Sequence, residues 1–355
     1  MEIRVELTKT PKQKPSSSEN LGFGNVFSDH MFILDYTEGI GWHDARIIPY
    51  GKIAYEPSIM VFHYGQTIFE GLKAYKTQDD HIVMFRPDQN MKRLNESCDR
   101  LCIPRIDEEL AIEAMKKLVA IDKDWVPDAP GTSLYIRPFI YATDPYLGVR
   151  PSHTYHFIIM TGPVGAYYKE GLNPVKIYVE SIYVRAVAGG IGAAKTAGNY
   201  AASLRAQMEA KEKGFTQVLW LDGVERKYVE EVGTMNVFFV LGDEIVTPEL
   251  NGSILPGITR KSCIDLLQSW GLKISERKIS IQEIFQANEK GLLKEAFGTG
   301  TAAVISPIGE LFWNNQLITL SGGRIGELSQ RLYDELTKIQ YCEKPDLFNW
   351  IYQVI

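Results

Sequence analysis

Lys195 stands in a run of small residues, Gly189-Gly-Ile-Gly-Ala-Ala-Lys195-Thr-Ala-Gly-Asn-Tyr200. Small neighbours let a flat ligand approach the backbone closely. A lysine amine in such a pocket loses its charge cheaply, by desolvation or by forming a Schiff base. That chemistry suits covalent attachment of an aldehyde cofactor. The ordinary alternative is a surface lysine in a flexible loop. The same run also approaches a phosphate-binding loop, which needs Gly-x4-Gly-Lys-Ser/Thr. Gly189 and Lys195-Thr196 fit that pattern, but Ala194 occupies the second glycine.

Four further segments carry candidate chemistry. Glu230-Glu231-Val-Gly-Thr234-Met-Asn236 puts a carboxylate at the start of an apolar strand. Pyridoxal phosphate needs a carboxylate opposite its pyridine nitrogen, because the protonated ring is the electron sink. A charged hairpin turn is the plain alternative. Leu255-Pro-Gly-Ile258-Thr259-Arg260 precedes a helical run. The amides of Ile258 and Thr259 would then lie at a helix N-terminus, a seat for phosphate. Gly298-Thr-Gly-Thr301-Ala302-Ala is a small, hydroxyl-rich turn suited to an anion. In the first half, Tyr64, Phe69 and Tyr135 are candidate pocket walls, and Arg93 and Arg137 are candidate anion partners.

Other signals fail. His153 and His156 share a strand, where i and i+3 face opposite sides, so no metal pair forms. The chain has no HExxH, CxxC or GxSxG motif, and no metal site is expected.

These residues need elements to position them. The 355 residues, 45% hydrophobic and 23% charged, suit a soluble globular protein of two or three domains. The net charge of −6, with no Lys/Arg block, argues against a nucleic-acid partner. Four cysteines without a CxxC pair make no disulfide framework and point to a reducing, cytosolic setting. No window approaches 18 uncharged apolar residues, so no membrane span is expected. Residues 8–20 read as loose. Strands are expected at Ile53–Tyr55, Ser133–Ile140, Thr154–Thr161, Val175–Val184, Gln217–Asp222, Asn236–Leu241 and Ala302–Ile308. Helices are expected from an Asp88 cap through Leu101, at Ile106–Trp125, and at Ala201–Lys213, Arg260–Trp270, Ile281–Lys290 and Arg324–Ile339. Gly162–Pro174, with two prolines and three glycines, is the best boundary. The division expected is a smaller α/β domain over 1–164, a loop over 165–174 and a larger cofactor domain over 175–355. Mixed strands and helices in both halves make the class α/β (α+β), without a regular βαβ rhythm.

Taken together the motifs are far more specific than any one. Phe27-Ser-Asp-His-Met31, Phe69-Glu-Gly71, Asn90-Met-Lys-Arg93, Tyr135-Ile-Arg-Pro138, Gly189 to Tyr200, Glu231 to Asn236, Leu255 to Arg260 and Gly298 to Ala302 follow in order. This constellation closely resembles the branched-chain amino-acid aminotransferases, fold type IV pyridoxal-phosphate enzymes. The resemblance runs from about Phe27 to about Tyr341, and its first motif looks like the longer subgroup that includes the animal enzymes. It implies two α/β domains with the cofactor at their interface. Lys195 would carry the internal aldimine and shuttle the proton. Glu231 would pair with the pyridine nitrogen and Tyr200 with the phenolic oxygen. Arg93, Ile258, Thr259 and Thr301 would hold the phosphate, with Arg185 and Thr234 beside the cofactor. Tyr64, Phe69, Tyr135, Tyr167 and Ala302 would line the substrate pocket, with Arg137 near the acidic chain of glutamate. Leu147 and Val149 match a loop that reaches the neighbouring subunit's pocket, which implies a homodimer. The CxxC redox pair of the animal mitochondrial members is replaced by Ala303 and Ser306.

The reaction so implied is reversible, ping-pong transfer of the amino group of L-leucine, L-isoleucine or L-valine to 2-oxoglutarate. The nearest rivals are a D-amino-acid aminotransferase and an aminodeoxychorismate lyase. A nucleotide-binding module built on Gly189–Thr196 is the rival of another class.

Overall fold

A computed structural model describes residues 1–15, 21–165 and 172–355. The chain forms two compact units. The first comprises Met1–Lys169, Ala194–Ala197 and Lys338–Ile355, and the second Glu170–Ala193 and Gly198–Thr337. A linear cut near 165–174 does not give this division. Four residues around Lys195 and the last eighteen join the first unit instead.

The first unit holds β1 (Arg4–Val5), β2 (His30–Thr37), β3 (Gly41–Pro49), α1 (Met60–Tyr64), β4 (Thr67–Phe69), β5 (Leu72–Lys76), β6 (Ile82–Phe85), α2 (Pro87–Leu101), α3 (Glu108–Ile121), β7 (Ser133–Ala142) and β8 (Thr154–Val164). Its sheet runs β1-β3-β2-β8-β7-β5-β6 and closes on residues Ile351–Gln353, with β4 beside β7. One face is apolar. Leu134, Ile136 and Ile140 of β7 pack there with Met91, Leu94 and Cys98 of α2 and Met115 and Leu118 of α3. Side chains alternate along a strand, so Tyr135, Arg137 and Phe139 share the other face. That alternation places the candidate arginine.

The second unit holds β9 (Val175–Glu180), most of α4 (Ala197–Glu212), β10 (Gln217–Leu221), β11 (Val229–Val232), β12 (Asn236–Leu241), β13 (Glu244–Thr247), α5 (Ile258–Ser269), β14 (Lys273–Glu276), α6 (Ile281–Glu289), β15 (Leu293–Gly300), β16 (Val304–Trp313) and β17 (Gln316–Thr319). Helix α7 (Glu327–Gln340) follows, and the Ile351–Gln353 strand is β18. The second sheet runs β11-β10-β9-β16-β15-β12-β13-β14, with β17 beside β16. Strand β9 is central and parallel to both neighbours. Its residues alternate, with Val175, Ile177 and Val179 buried on one face while Lys176 on the other is exposed.

Several expectations need correction. Ile53–Tyr55 is not a strand; the segment is irregular, and Tyr55 shares a hydrogen bond with His156 Nδ1 at 2.6 Å. Asp88 does not cap helix α2: Arg86, at φ 50°, holds the N-cap position with no side-chain capping bond, Pro87 follows, and Asp88 lies in the first turn. Proline is pre-organised for that first helical position. The Ile106–Trp125 helix is shorter, because Asp107 caps it by accepting from the amides of Glu109 and Leu110. Residues 8–15 are anchored rather than loose: Thr8 N–H donates to His30 Nε2 at 2.9 Å and Lys12 N–H to Asp29 Oδ1 at 2.8 Å. Among the described residues no helix is long and apolar enough to cross a membrane.

Candidate active site

In the first unit, the Lys195 segment joins the edge of β4. Lys195 C=O accepts from Phe69 N–H at 3.0 Å, and Thr196 hydroxyl donates to Thr67 C=O at 2.7 Å. Ile68 and Thr196 form an antiparallel bridge. Lys195 N–H donates to Ser97 Oγ of α2 at 2.9 Å. Lys195 Nζ lies 4.9 Å from the centre of the Phe69 ring. The backbone is therefore fixed on both sides while the side chain is only half-buried.

Next to Phe69 is Glu70, fully buried. Its carboxylate receives Arg93 Nε and Nη2, each at 2.8 Å, and Asn90 Nδ2 at 2.8 Å. Burial alone would push this carboxyl up. The Arg93 guanidinium, helped by Lys195 and Asn90, outweighs it and holds Glu70 below the usual carboxylate range. Arg93 is buried too, so the pair is a planar fork of the kind that fixes geometry.

Arg137 lies between two rings, 4.8 Å from the centre of Phe69 and 5.2 Å from that of Tyr135. Its Nη2 donates to Tyr135 Oη at 3.0 Å, and its buried Nε has no hydrogen-bond partner among the described residues. Gly71 is required here, because a Cβ would sit 2.0 Å from Tyr135 Oη. Tyr64, at the end of α1, is exposed. Leu147 and Val149 are 66% and 86% exposed. Tyr167 lies outside the described residues.

In the second unit, Glu231 is buried on β11. It accepts from Leu255 N–H at 2.8 Å. Arg185 Nε lies 3.1 Å from its other oxygen, as an ion pair rather than an aligned hydrogen bond. Arg185 Nη2 also donates to Ser253 C=O. Glu230, the preceding residue, accepts from the Ser253 hydroxyl, and burial pushes its carboxyl up. Adjacent carboxylates thus grip one loop, Asn251–Leu255, that leads to α5.

Helix α5 starts after Gly257, and no side chain caps it. The first-turn amides of Ile258 and Thr259 keep the orphan donors of a helix N-terminus. Gly257 lets Asn236 close on this turn, since a Cβ there would lie 2.0 Å from Asn236 Oδ1. Thr301 and Ala302 form the turn between β15 and β16. The next strand opens on Val304 at φ 61°, a costly conformation for a β-branched residue. Buried Thr299 Oγ1 beside that turn has no hydrogen-bond partner among the described residues. Thr234 is exposed at the tip of the β11–β12 turn, and Tyr200 is half-buried on α4.

The geometry thus joins Phe69, Tyr135, Arg137 and Lys195 in one unit, and Arg185 with Glu231 in the other. Sequence reasoning missed Glu70, Asn90, Ser97 and Ser253 as working residues. Asn90, Arg93 and Ser97 carried a signal, since spacings of three and four put polar groups on one helix face. The nucleotide-loop reading is not met. Sixteen residues separate β9 from α4, and the lysine pairs with β4 instead of opening a tight strand–loop–helix turn.

The model of the family Amino-transferase class IV matches residues 67–311. The chain is 62% identical over 352 residues to "Branched-chain-amino-acid aminotransferase 2" of Bacillus subtilis (strain 168), covering 99% of this chain and 97% of that protein. It is 56% identical over 353 residues to "Branched-chain-amino-acid transaminase 1" of the same organism, covering 99% of each. Among solved structures, an Escherichia coli branched-chain amino acid aminotransferase matches with TM-score 0.78 and 28% identity, over 92% of this chain and 99% of that one. A T.th. branched-chain amino acid aminotransferase, complexed with N-(5'-phosphopyridoxyl)-L-glutamate, matches with TM-score 0.72 and 26% identity, over 91% of this chain and 98% of that one.

Proposed function

Because the chain belongs to the class IV aminotransferases, we propose that it moves the amino group of L-leucine, L-isoleucine or L-valine to 2-oxoglutarate, giving the branched 2-oxo acid and L-glutamate. Branched-chain aminotransferase activity with pyridoxal phosphate as cofactor follows from the family and from relatives this similar. The residues fit that cofactor. An uncapped helix N-terminus at Ile258–Thr259 and a buried arginine suit a phosphate, and a buried carboxylate suits a protonated ring nitrogen. The observation that carries the reading is Lys195, a half-buried amine on a backbone pinned at both N–H and C=O.

The cofactor supplies a protonated pyridine ring that accepts electrons from the substrate carbon. The protein's own groups do the rest. Lys195 would hold the cofactor as its nucleophile, and its amine, once free, would take the Cα proton of the amino acid and deliver it to the cofactor's aldehyde carbon. Glu231, held by Arg185 and Leu255 N–H, would pair with the ring nitrogen. Arg93, Ile258, Thr259 and Thr301 would bind the phosphate, Tyr200 would pair with the phenolic oxygen, and Thr234 would contribute beside the cofactor. Tyr64, Phe69, Tyr135, Tyr167 and Ala302 line the substrate pocket, and Arg137 receives the second carboxylate of glutamate. Its unpartnered Nε supports that role. Leu147 and Val149 are assigned to contact with a second copy in a homodimer, and the setting is cytoplasmic. One methylene is worth about 1–3 kcal/mol in an apolar pocket, so discrimination among the three substrates is modest.

The test is an absorbance spectrum of the purified protein before and after L-leucine. A cofactor band that L-leucine shifts, that 2-oxoglutarate restores, and that Lys195→Ala abolishes supports the reading. A band that L-leucine leaves unmoved sinks the substrate assignment.

A further inference from the structure

Helix α2 carries three polar residues, Asn90, Arg93 and Ser97, on one buried face. Asn90 and Arg93 hold Glu70. Ser97 is 1% exposed and accepts the backbone N–H of Lys195, 98 residues further along the chain. A serine inside a helix usually bonds back to its own helix or faces water. This one serves the peptide of another segment.

A lysine that acts as nucleophile and proton carrier needs a side chain that can move on a backbone that cannot. Its part-buried N–H also needs an acceptor, because a donor shielded from water without one is costly. Phe69 fixes the carbonyl side of the Lys195 residue, and Ser97 fixes the amide side. Arg93 stands one helical turn before Ser97, where side chains are neighbours. One rigid helix thus sets both the guanidinium fork and the lysine backbone.

We propose that Ser97 is a positioning residue for Lys195, acting through the lysine's peptide, and that α2 holds it in register with Arg93. The inference rests on the reading that Lys195 carries the chemistry. Loss of the Ser97 hydroxyl lets the lysine segment drift without touching any substrate contact. A misplacement on the order of 1 Å at a reacting group costs roughly 100-fold in rate. Ser97→Ala should therefore lower kcat about 10- to 100-fold, with KM for L-leucine and 2-oxoglutarate changed less than about twofold.

The experiment compares the wild-type holoenzyme with Ser97→Ala, Ser97→Thr and Ser97→Cys. Steady-state kinetics are measured together with the pH midpoint of the cofactor's absorbance band. Cysteine keeps the shape but is a weak acceptor, so it covers the case in which alanine folds poorly. The expected result is a kcat loss and a moved midpoint in Ala and Cys, with both restored in Thr. Wild-type kcat and midpoint in a folded Ala or Cys variant would overturn the inference. So would a loss confined to KM, or one that Thr shares equally. A Lys195→Ala variant with full activity would instead overturn the proposed function, and the role of Ser97 with it.

Discussion

Lys73 is a lysine with no part in the proposed chemistry. It is buried, and burial lowers its amine to about 8. Its folded value lies below the unfolded one, so the folded chain resists charging it. The cost is full below about pH 8, shrinks as pH rises from there towards the unfolded value near 10.4, and is gone above it. Relative to the wild type, Lys73→Met should therefore be more favourable to stability at pH 7 than near pH 10. Urea unfolding at the two pH values checks this, and an equal effect at both would refute it. Glu70 has the opposite sign. Its carboxyl is held low, so its contribution is full above the unfolded value near 4.3 and is lost as pH falls through the folded one. Glu70→Ala strands a buried guanidinium and should cost about 3–5 kcal/mol, read by the same denaturation. For Arg137→Ala, the glutamate half-reaction should suffer at least about tenfold more than the leucine half-reaction, because only glutamate brings a second carboxylate. Single-turnover rates with each amino acid separate the two, and equal losses would remove Arg137 from that role.

At the scale of elements, α5 depends on the absence of a side chain at Gly257. Gly257→Ala drives a methyl against Asn236 Oδ1 and shifts the first turn. Pyridoxal phosphate should then dissociate at least about tenfold more readily, since the amides of that turn are the proposed phosphate seat. Fluorescence titration of the stripped protein measures it, and unchanged affinity would move the seat elsewhere. The long periodic helices and the β7–β8 pair were readable from sequence because their apolar spacing is unambiguous. Strands β2, β3, β5 and β6 were not marked out. Strand β2 is buried along most of its length and so lacks alternation, β6 is a short apolar run that periodicity cannot assign, and β5, Leu72-Lys-Ala-Tyr-Lys76, is only five residues long. In the site, residues within a dense motif, such as Lys195 and Glu231, were legible. Ser97 and Ser253 were not, because their partners lie 98 and 68 residues away in sequence. No local pattern marks such a bond.

At the scale of the molecule, the first unit is not finished when its own long stretch has been made. Its sheet takes its last strand, β18, from residues Ile351–Gln353, paired with β6. Until those residues arrive, β6 offers a bare row of backbone donors and acceptors, the kind of edge along which chains stick together. A nascent chain therefore keeps that edge open until residues 351–353 have emerged from the ribosome. Removing residues 350–355 should leave a protein that aggregates on expression at concentrations where the full chain stays dispersed, as light scattering would show. A bulky group placed directly after Ile355 should work against the strand that seals the sheet, whereas the same group behind a flexible spacer should not.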